Sequence, residues 1–214
     1  MIYLSGAITR APLEGVGHML QPNMGNLVPA EGWWALDNGC FSKAREFDID
    51  RFLSYANKTL AAAGDRCLFV VCPDVAFDAA GTIARWHEYQ DRIRQLGRPV
   101  AFVTQDGMGM EDVPWEDIDA LFVGGSTEWK LGHESGALMA EAKRRGMWVH
   151  VGRVNSLRRF RHAYSLGADS CDGTFLKYAP DINRLRMADW FRQMREEPVM
   201  TLAHREGLGP SHQA

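Results

Sequence analysis

No run in the chain approaches eighteen uninterrupted apolar residues, and Met1–Gly6 lead into Arg10 and Glu14 with no basic start and no long apolar core. A membrane span and a secretory leader are therefore not expected, and a cytoplasmic protein is the default reading. Cysteine is scarce too. Cys40, Cys67, Cys72 and Cys171 contain no CxxC pair, so reduced thiols and no zinc or other metal are expected. Low-complexity linkers and internal repeats are missing as well, which argues against several domains. What is present is ordinary in bulk: 214 residues, 46% hydrophobic, 24% charged, with a formal net charge of −3. That balance suits one globular domain, expected over residues 1–200, followed by a Gly-, Pro-, Ser- and His-containing tail, 201–214, expected to be flexible.

The small net charge conceals an asymmetry. Residues 1–140 hold 11 basic and 19 acidic side chains, whereas residues 141–214 hold 13 and 8, so the C-terminal part can face an anion. Short apolar runs recur along the chain, each followed by a polar or Gly-rich turn and then usually by a helical pattern. The runs are Ile2–Leu4, Trp33–Leu36, Cys67–Val71, Val100–Thr104, Ala120–Val123, Trp148–Val151 and, more weakly, Ser170–Asp172. Helices are expected at Ile49–Ala63, Ala79–Leu96, Lys130–Arg145, Ser156–Leu166 and Asp181–Arg195. Gly64, Gly97, Gly146 and Gly167 fall where helix ends favour a left-handed residue. This is the rhythm of parallel β/α units, and seven or eight strands in about 200 residues fit a small (β/α)₈ TIM-type barrel, complete or not. A doubly wound open sheet is the competing architecture.

In parallel β/α folds the working residues lie just past the carboxyl ends of the strands, where the loops share one rim. Those positions read Asp37-Asn38-Gly39-Cys40-Phe41, Cys72-Pro73-Asp74, Gln105-Asp106-Gly107, Gly124-Gly125-Ser126, Gly152-Arg153 and Asp172-Gly173. Taken singly, an Asp or Gly after a strand is also ordinary turn chemistry, and Asp78 reads as a helix N-cap, Asp169 as a turn residue. Taken together, three carboxylates, an amide and two glycine turns would share a rim. Arg153, Arg158, Arg159 and Arg161 gather around a helix start at that rim, where phosphates are well received, although a solvated helix face has the same composition. His150 reads as a satisfied interior histidine or a pocket lining, and Trp115 and Trp129 as the tryptophans best placed for a ligand.

The order of these motifs resembles the tRNA-guanine transglycosylase family, the base-exchange enzymes that place 7-deazaguanines in nucleic acid. Asp37-Asn38-Gly39-Cys40-Phe41 is similar to that family's Asp-Ser-Gly-Gly-(Phe/Tyr), Val103-Thr104-Gln105-Asp106-Gly107 to its Val-Gln-Gly-Gly, and Phe122-Val123-Gly124-Gly125 to its Gly-Gly loop. Gly167-Ala168-Asp169-Ser170-Cys171-Asp172 resembles the run that ends in its nucleophile. The family's zinc element, Cys-x-Cys-x-x-Cys followed by His, is absent. The chain is also much shorter than a full tRNA enzyme, which brings it nearer the compact phage DpdA-type branch acting on DNA.

The resemblance implies a pentosyltransferase without a cofactor, in which Asp172 forms a covalent glycosyl ester and Asp37 acts as acid and base. Asp37 would then need a raised pKa. Asp74, Gln105, Gly124 and Gly125 would read the guanine edge, with Phe41 as a stacking wall or a core aromatic, and Arg153, Arg158, Arg159 and Arg161 would meet phosphates. The implied partners are DNA rather than tRNA and a free 7-deazaguanine base such as 7-cyano-7-deazaguanine, in a bacterial cell, phage-infected or not. A homodimer is compatible with the family. Two other readings stay open: a tRNA or nucleoside-level (deoxy)ribosyltransferase, to whose family the opening Ile2-Tyr3-Leu4-Ser5-Gly6-Ala7 is somewhat similar, and a non-catalytic DNA- or base-binding module.

Overall fold

The computed structural model describes residues 1–6, 13–22, 30–40 and 47–196. Eight parallel strands close into a barrel in chain order: β1 (Ile2–Ser5), β2 (Val16–Leu20), β3 (Trp34–Leu36), β4 (Cys67–Val71), β5 (Val100–Thr104), β6 (Ala120–Val123), β7 (Trp148–Val151) and β8 (Ser170–Gly173). Closure is made by β1 against β8, with Tyr3 opposite Cys171 and Leu4 opposite Asp172. An open sheet is thereby excluded. The helices are α1 (Ile49–Ala63), α2 (Ala79–Arg94), α3 (Thr127–Lys130), α4 (His133–Arg144), α5 (Leu157–Ser165) and α6 (Pro180–Glu196). None among the described residues is long and apolar enough to cross a membrane. The tail expected to be flexible lies outside the described residues.

β2 is the strand that the apolar pattern does not reveal. Its core positions are interrupted by Gly17 and His18, and Gly17 is required because a side chain there would run into the Trp33 carbonyl. Among the described residues no helix separates β1 from β2 or β2 from β3, and β/α alternation is seen from β3 onward. The single helix expected over Lys130–Arg145 is broken. Gly132 caps α4 while its N–H bonds the Trp129 carbonyl, which also accepts the Ser135 hydroxyl, and the chain turns just after Lys130.

Helix ends otherwise follow local chemistry. Asp48 and Asp78 accept the backbone N–H groups of Arg51 and Gly81 at 3.0 and 2.9 Å, and Ser156 caps α5. Gly97, Gly146 and Gly167 take left-handed conformations, but Gly64 does not: at φ −58° it continues into a short 3₁₀ turn and is small because Arg98 lies against it.

Two apolar layers follow from strand alternation. Leu4, Met19, Ala35, Phe69, Val71, Ala101, Val103 and Ala120 fill the barrel interior, with Phe122 and Trp148 packed on them. The alternate residues, among them Trp34, Leu36, Val70, Phe102, Leu121, Val149 and Cys171, join the helices in the outer layer. Asp169 is more than a turn residue. Its carboxylate accepts Lys143 Nζ at 2.7 and 2.8 Å and the Val149 N–H at 2.8 Å, tying α4 to the start of β7.

The partly exposed ion pair itself contributes little, whereas the Val149 N–H has no substitute acceptor. Asp169→Ala should therefore lower unfolding free energy by about 2 kcal/mol and Lys143→Met by less than about 1 kcal/mol. Urea denaturation with unchanged m-values checks both.

Candidate functional site

The carboxyl ends of β3 to β8 bring six chain segments to one mouth. Asp37 follows β3, Asp74 and Phe77 follow β4, Gln105 and Asp106 follow β5, Gly124 and Gly125 follow β6, Arg153 follows β7, and Asp172 lies within β8.

Asp172 is held by a polar seam running up the inside of the barrel between β7 and β8. At its base Trp148 Nε1–H donates to Ser170 Oγ at 2.8 Å, and that hydroxyl lies 2.8 Å from His150 Nδ1. With its oxygen occupied by Trp148, the buried Ser170 proton has Nδ1 as its acceptor, which assigns the His150 proton to Nε2. Nε2 then donates to Asp172 Oδ1 at 3.1 Å, and the Arg153 backbone N–H donates to the same oxygen at 3.0 Å. His150 is fully buried, with Phe122 and Phe69 rings 4.5 and 5.3 Å from its own. Both donors reach one oxygen. Oδ2 has no hydrogen-bond partner among the described residues, and the side chain is 21% exposed, so a pinned carboxylate presents a free oxygen to the mouth.

Asp37 carries the opposite electrostatic character. Burial, then the neighbouring charges of Asp172 and Asp74, push its carboxyl up to about 7, against weaker help from the Gly39 and Asn38 N–H groups. Near neutral pH it holds or yields a proton with equal ease. Cys40, close by, cannot serve as a nucleophile, because burial raises its thiol to about 12.

Of the four residues expected to read a base, Asp74, Gln105 and Gly125 are linked to one another. Asp74 Oδ1 accepts Asn38 Nδ2 at 2.9 Å and Oδ2 accepts Gln105 Nε2 at 2.7 Å. Gln105 Oε1 in turn accepts the N–H groups of Phe77 at 2.9 Å and Gly125 at 3.1 Å. Burial raises the Asp74 pKa while the Asn38 and Gln105 bonds hold it down. Gly124 packs on the Thr104 carbonyl and the Val103 side chain, so no side chain fits there, and the left-handed Gly125 is crowded by Asp106 and Trp129. Asp106 accepts the Ser126 N–H at 2.7 Å and fixes this loop from below.

The four arginines separate. Arg153 crosses the mouth: its guanidinium donates to the Gly125 carbonyl and lies 5.2 Å from the Phe77 ring centre. Arg159 stays beside it, 3.4 Å from the Arg153 carbonyl. Arg158 is exposed, and Arg161 turns to Gln193 of α6 at 2.9 Å, so these two do not join the site. Phe41 lies outside the described residues. An aromatic that sequence reasoning missed is Phe77, 46% exposed at the rim and left-handed at φ 66°. Arg153, its partner across the mouth, is also left-handed at φ 57°, and such strain in non-glycine residues collects at working sites. Trp129 is buried behind Gly125, while Trp115 packs under Arg145 beyond α4 and away from the mouth. Among the described residues no group of three or more His, Cys, Asp or Glu is arranged to hold a metal ion.

No family model and no curated protein matches the sequence. Solved structures do resemble the fold. The BexX/CysO complex of Amycolatopsis orientalis is matched at 20% identity over 85% of this chain and 72% of that one, with a TM-score of 0.49. The 3-hexulose-6-phosphate synthase of Salmonella typhimurium is matched at 16% identity over 76% and 74%, at 0.47. The YkuI protein of Bacillus subtilis, with an EAL domain, is matched at 14% identity over 79% of this chain and 45% of that one, at 0.45. These likenesses concern the barrel alone.

The Asp37 proton has a consequence for stability. Unfolded, this carboxyl ionises near pH 4; folded, it holds its proton to about 7, so between those values the folded state binds more protons. Stability from this group is therefore full at low pH and lost as pH rises toward 7. Wild type should become less stable from pH 5 to pH 8, and the stability of Asp37→Asn relative to wild type should rise by about 2–3 kcal/mol over that range. Denaturant midpoints at the two pH values measure it.

Proposed function

We propose that this chain is a pentosyltransferase that exchanges guanine in DNA for a 7-deazaguanine base such as 7-cyano-7-deazaguanine. The observation that carries the proposal is the pairing of two unlike carboxylates at one mouth. Asp172 is pinned through Oδ1 with Oδ2 open, and Asp37 is poised near pH 7 by burial and by Asp172 itself. One group is suited to attack carbon and the other to carry a proton.

In the first step an Asp172 oxygen bonds to the anomeric carbon as the bond from that carbon to the guanine nitrogen breaks. The bonding pair leaves with guanine, and the Asp37 proton neutralises it. In the second step the incoming base gives its ring N–H proton to the Asp37 carboxylate while that nitrogen displaces the Asp172 oxygen. Two inversions retain configuration, and both carboxylates return to their starting states. His150 acts here as a positioning residue: its Nε2–H holds one Asp172 oxygen and leaves the other free. Asp74, held in place by Asn38 and the buried Gln105, offers acceptor capacity to the donor-rich edge of guanine, and Phe77 borders the mouth with its ring 46% exposed.

Release of labelled guanine, from DNA and in parallel from tRNA, on adding 7-cyano-7-deazaguanine tests this reading. DNA should release guanine and tRNA should not. Asp172→Asn should abolish release by at least about a thousandfold and Asp37→Asn should slow it about 10²–10⁴-fold. The wild-type release step should decline as pH rises through about 7, because it consumes the Asp37 proton. Release that survives Asp172→Asn would sink the mechanism. Nucleic-acid binding without release, unchanged in both variants, would favour a binding module.

A further inference from the structure

Lys130 closes the short helix α3 just past β6 and is 4% exposed, yet its ammonium has no hydrogen-bond partner among the described residues. A buried, unpaired ammonium is costly, and here its surroundings make it worse. Arg153 and Arg159 lie within electrostatic reach, against only Asp172 and Asp106 of opposite sign. Neither carboxylate is committed to Lys130: Asp172 Oδ1 takes its two hydrogen bonds from His150 and the Arg153 backbone, and Asp106 bonds the Ser126 N–H. Burial and then the neighbouring arginine pull the ammonium down to about 8, which leaves it mostly charged at neutral pH.

The position of this cation is specific. The break at Gly132 ends α3 at Lys130, and the Arg153 guanidinium spans from β7 to the Gly125 carbonyl on the same loop system. Arg159, in the first turn of α5, holds the Arg153 carbonyl. Two loops and a helix start thus gather three cations within electrostatic reach of Asp172, and one of the three, Lys130, has no hydrogen-bond partner among the described residues. Arg153 crosses the mouth to the Gly125 carbonyl, a contact that a stronger acceptor could replace, since a charged phosphate oxygen outcompetes a neutral carbonyl for a guanidinium.

We propose that Lys130, Arg153 and Arg159 form a phosphate pocket that holds the backbone phosphodiester next to the nucleotide whose sugar Asp172 attacks. The phosphate supplies the missing partner of Lys130 and draws Arg153 from Gly125, uncovering the Gly125 carbonyl for the base. Naming the anion as a phosphodiester rests on the base-exchange reading; the pocket itself rests on the unpartnered lysine.

The test compares binding of two short single-stranded oligodeoxynucleotides containing one guanine, identical except that in one the linkages flanking that guanosine are neutral methylphosphonates. Wild type should bind the charged oligonucleotide at least tenfold more tightly, and Lys130→Met should reduce that ratio severalfold by weakening only the charged ligand, Arg153 and Arg159 keeping the remainder. Ligand-free Lys130→Met should unfold at the same or a higher denaturant concentration than wild type, because it removes a buried charge that nothing pairs. A preference for the charged linkage that is unchanged in Lys130→Met, or a marked loss of ligand-free stability in that variant, would overturn the pocket. The exchange reading fails separately: if no guanine is released but the Lys130-dependent contrast persists, the pocket stands and the reaction does not.

Discussion

Asp172 points into the barrel because Ser170 and His150 are register partners across β8 and β7, and everything proposed for the mouth depends on that register. Strand alternation then sends His150, Ser170 and Asp172 inward together, while Cys171 and Val149 go to the outer layer. A slip of one residue would bury the carboxylate among helices and expose Cys171 to the interior. The hydrogen bonds from Trp148 to Ser170 to His150 to Asp172 oppose such a slip, since each buried polar group in the seam is satisfied by the next. The seam that fixes the register is thus also the device that orients the carboxylate.

Charge is divided across the mouth in a way that local structure alone does not explain. Asp37 and Asp74 lie past β3 and β4, Lys130, Arg153 and Arg159 past β6 and β7, and Asp172 stands on β8 next to β7, within electrostatic reach of both groups. The acidic side lowers its repulsion by retaining a proton on Asp37, while Asp74 is held by Asn38 and Gln105. The basic side has no such network around Lys130. A hydrogen-bonded network around Asp74 next to a buried ammonium with no hydrogen-bond partner among the described residues makes the mouth asymmetric.

Loop glycines and strained residues serve this arrangement. Gly124 allows the β6 loop to lie on β5, and Gly125 carries both an N–H bonded to Gln105 and a carbonyl bonded to Arg153. Phe77 and Arg153 adopt left-handed backbones that cost energy and meet ring against guanidinium over the opening. Their meeting couples the β4 and β7 loops, which are far apart in sequence.

The sequence by itself determined β1, the strands from β3 onward, the cap at Asp78, and the placement of Asp37, Asp74, Gln105 and Asp172 at strand ends, because these depend on apolar runs and turn chemistry within a few residues. It did not reveal β2, whose Gly17 answers to the distant Trp33 carbonyl, nor the right-handed Gly64, which answers to Arg98. It grouped four arginines by adjacency, and helix geometry sent Arg161 outward to α6 while Arg153 and Arg159 stayed at the mouth. His150 and Phe77 looked ordinary in the chain, and only closure of the barrel set one beneath Asp172 and the other beneath Arg153. Protonation of Asp37 and isolation of Lys130 were likewise decided by tertiary structure, because desolvation and charge proximity arise between segments that the chain keeps apart.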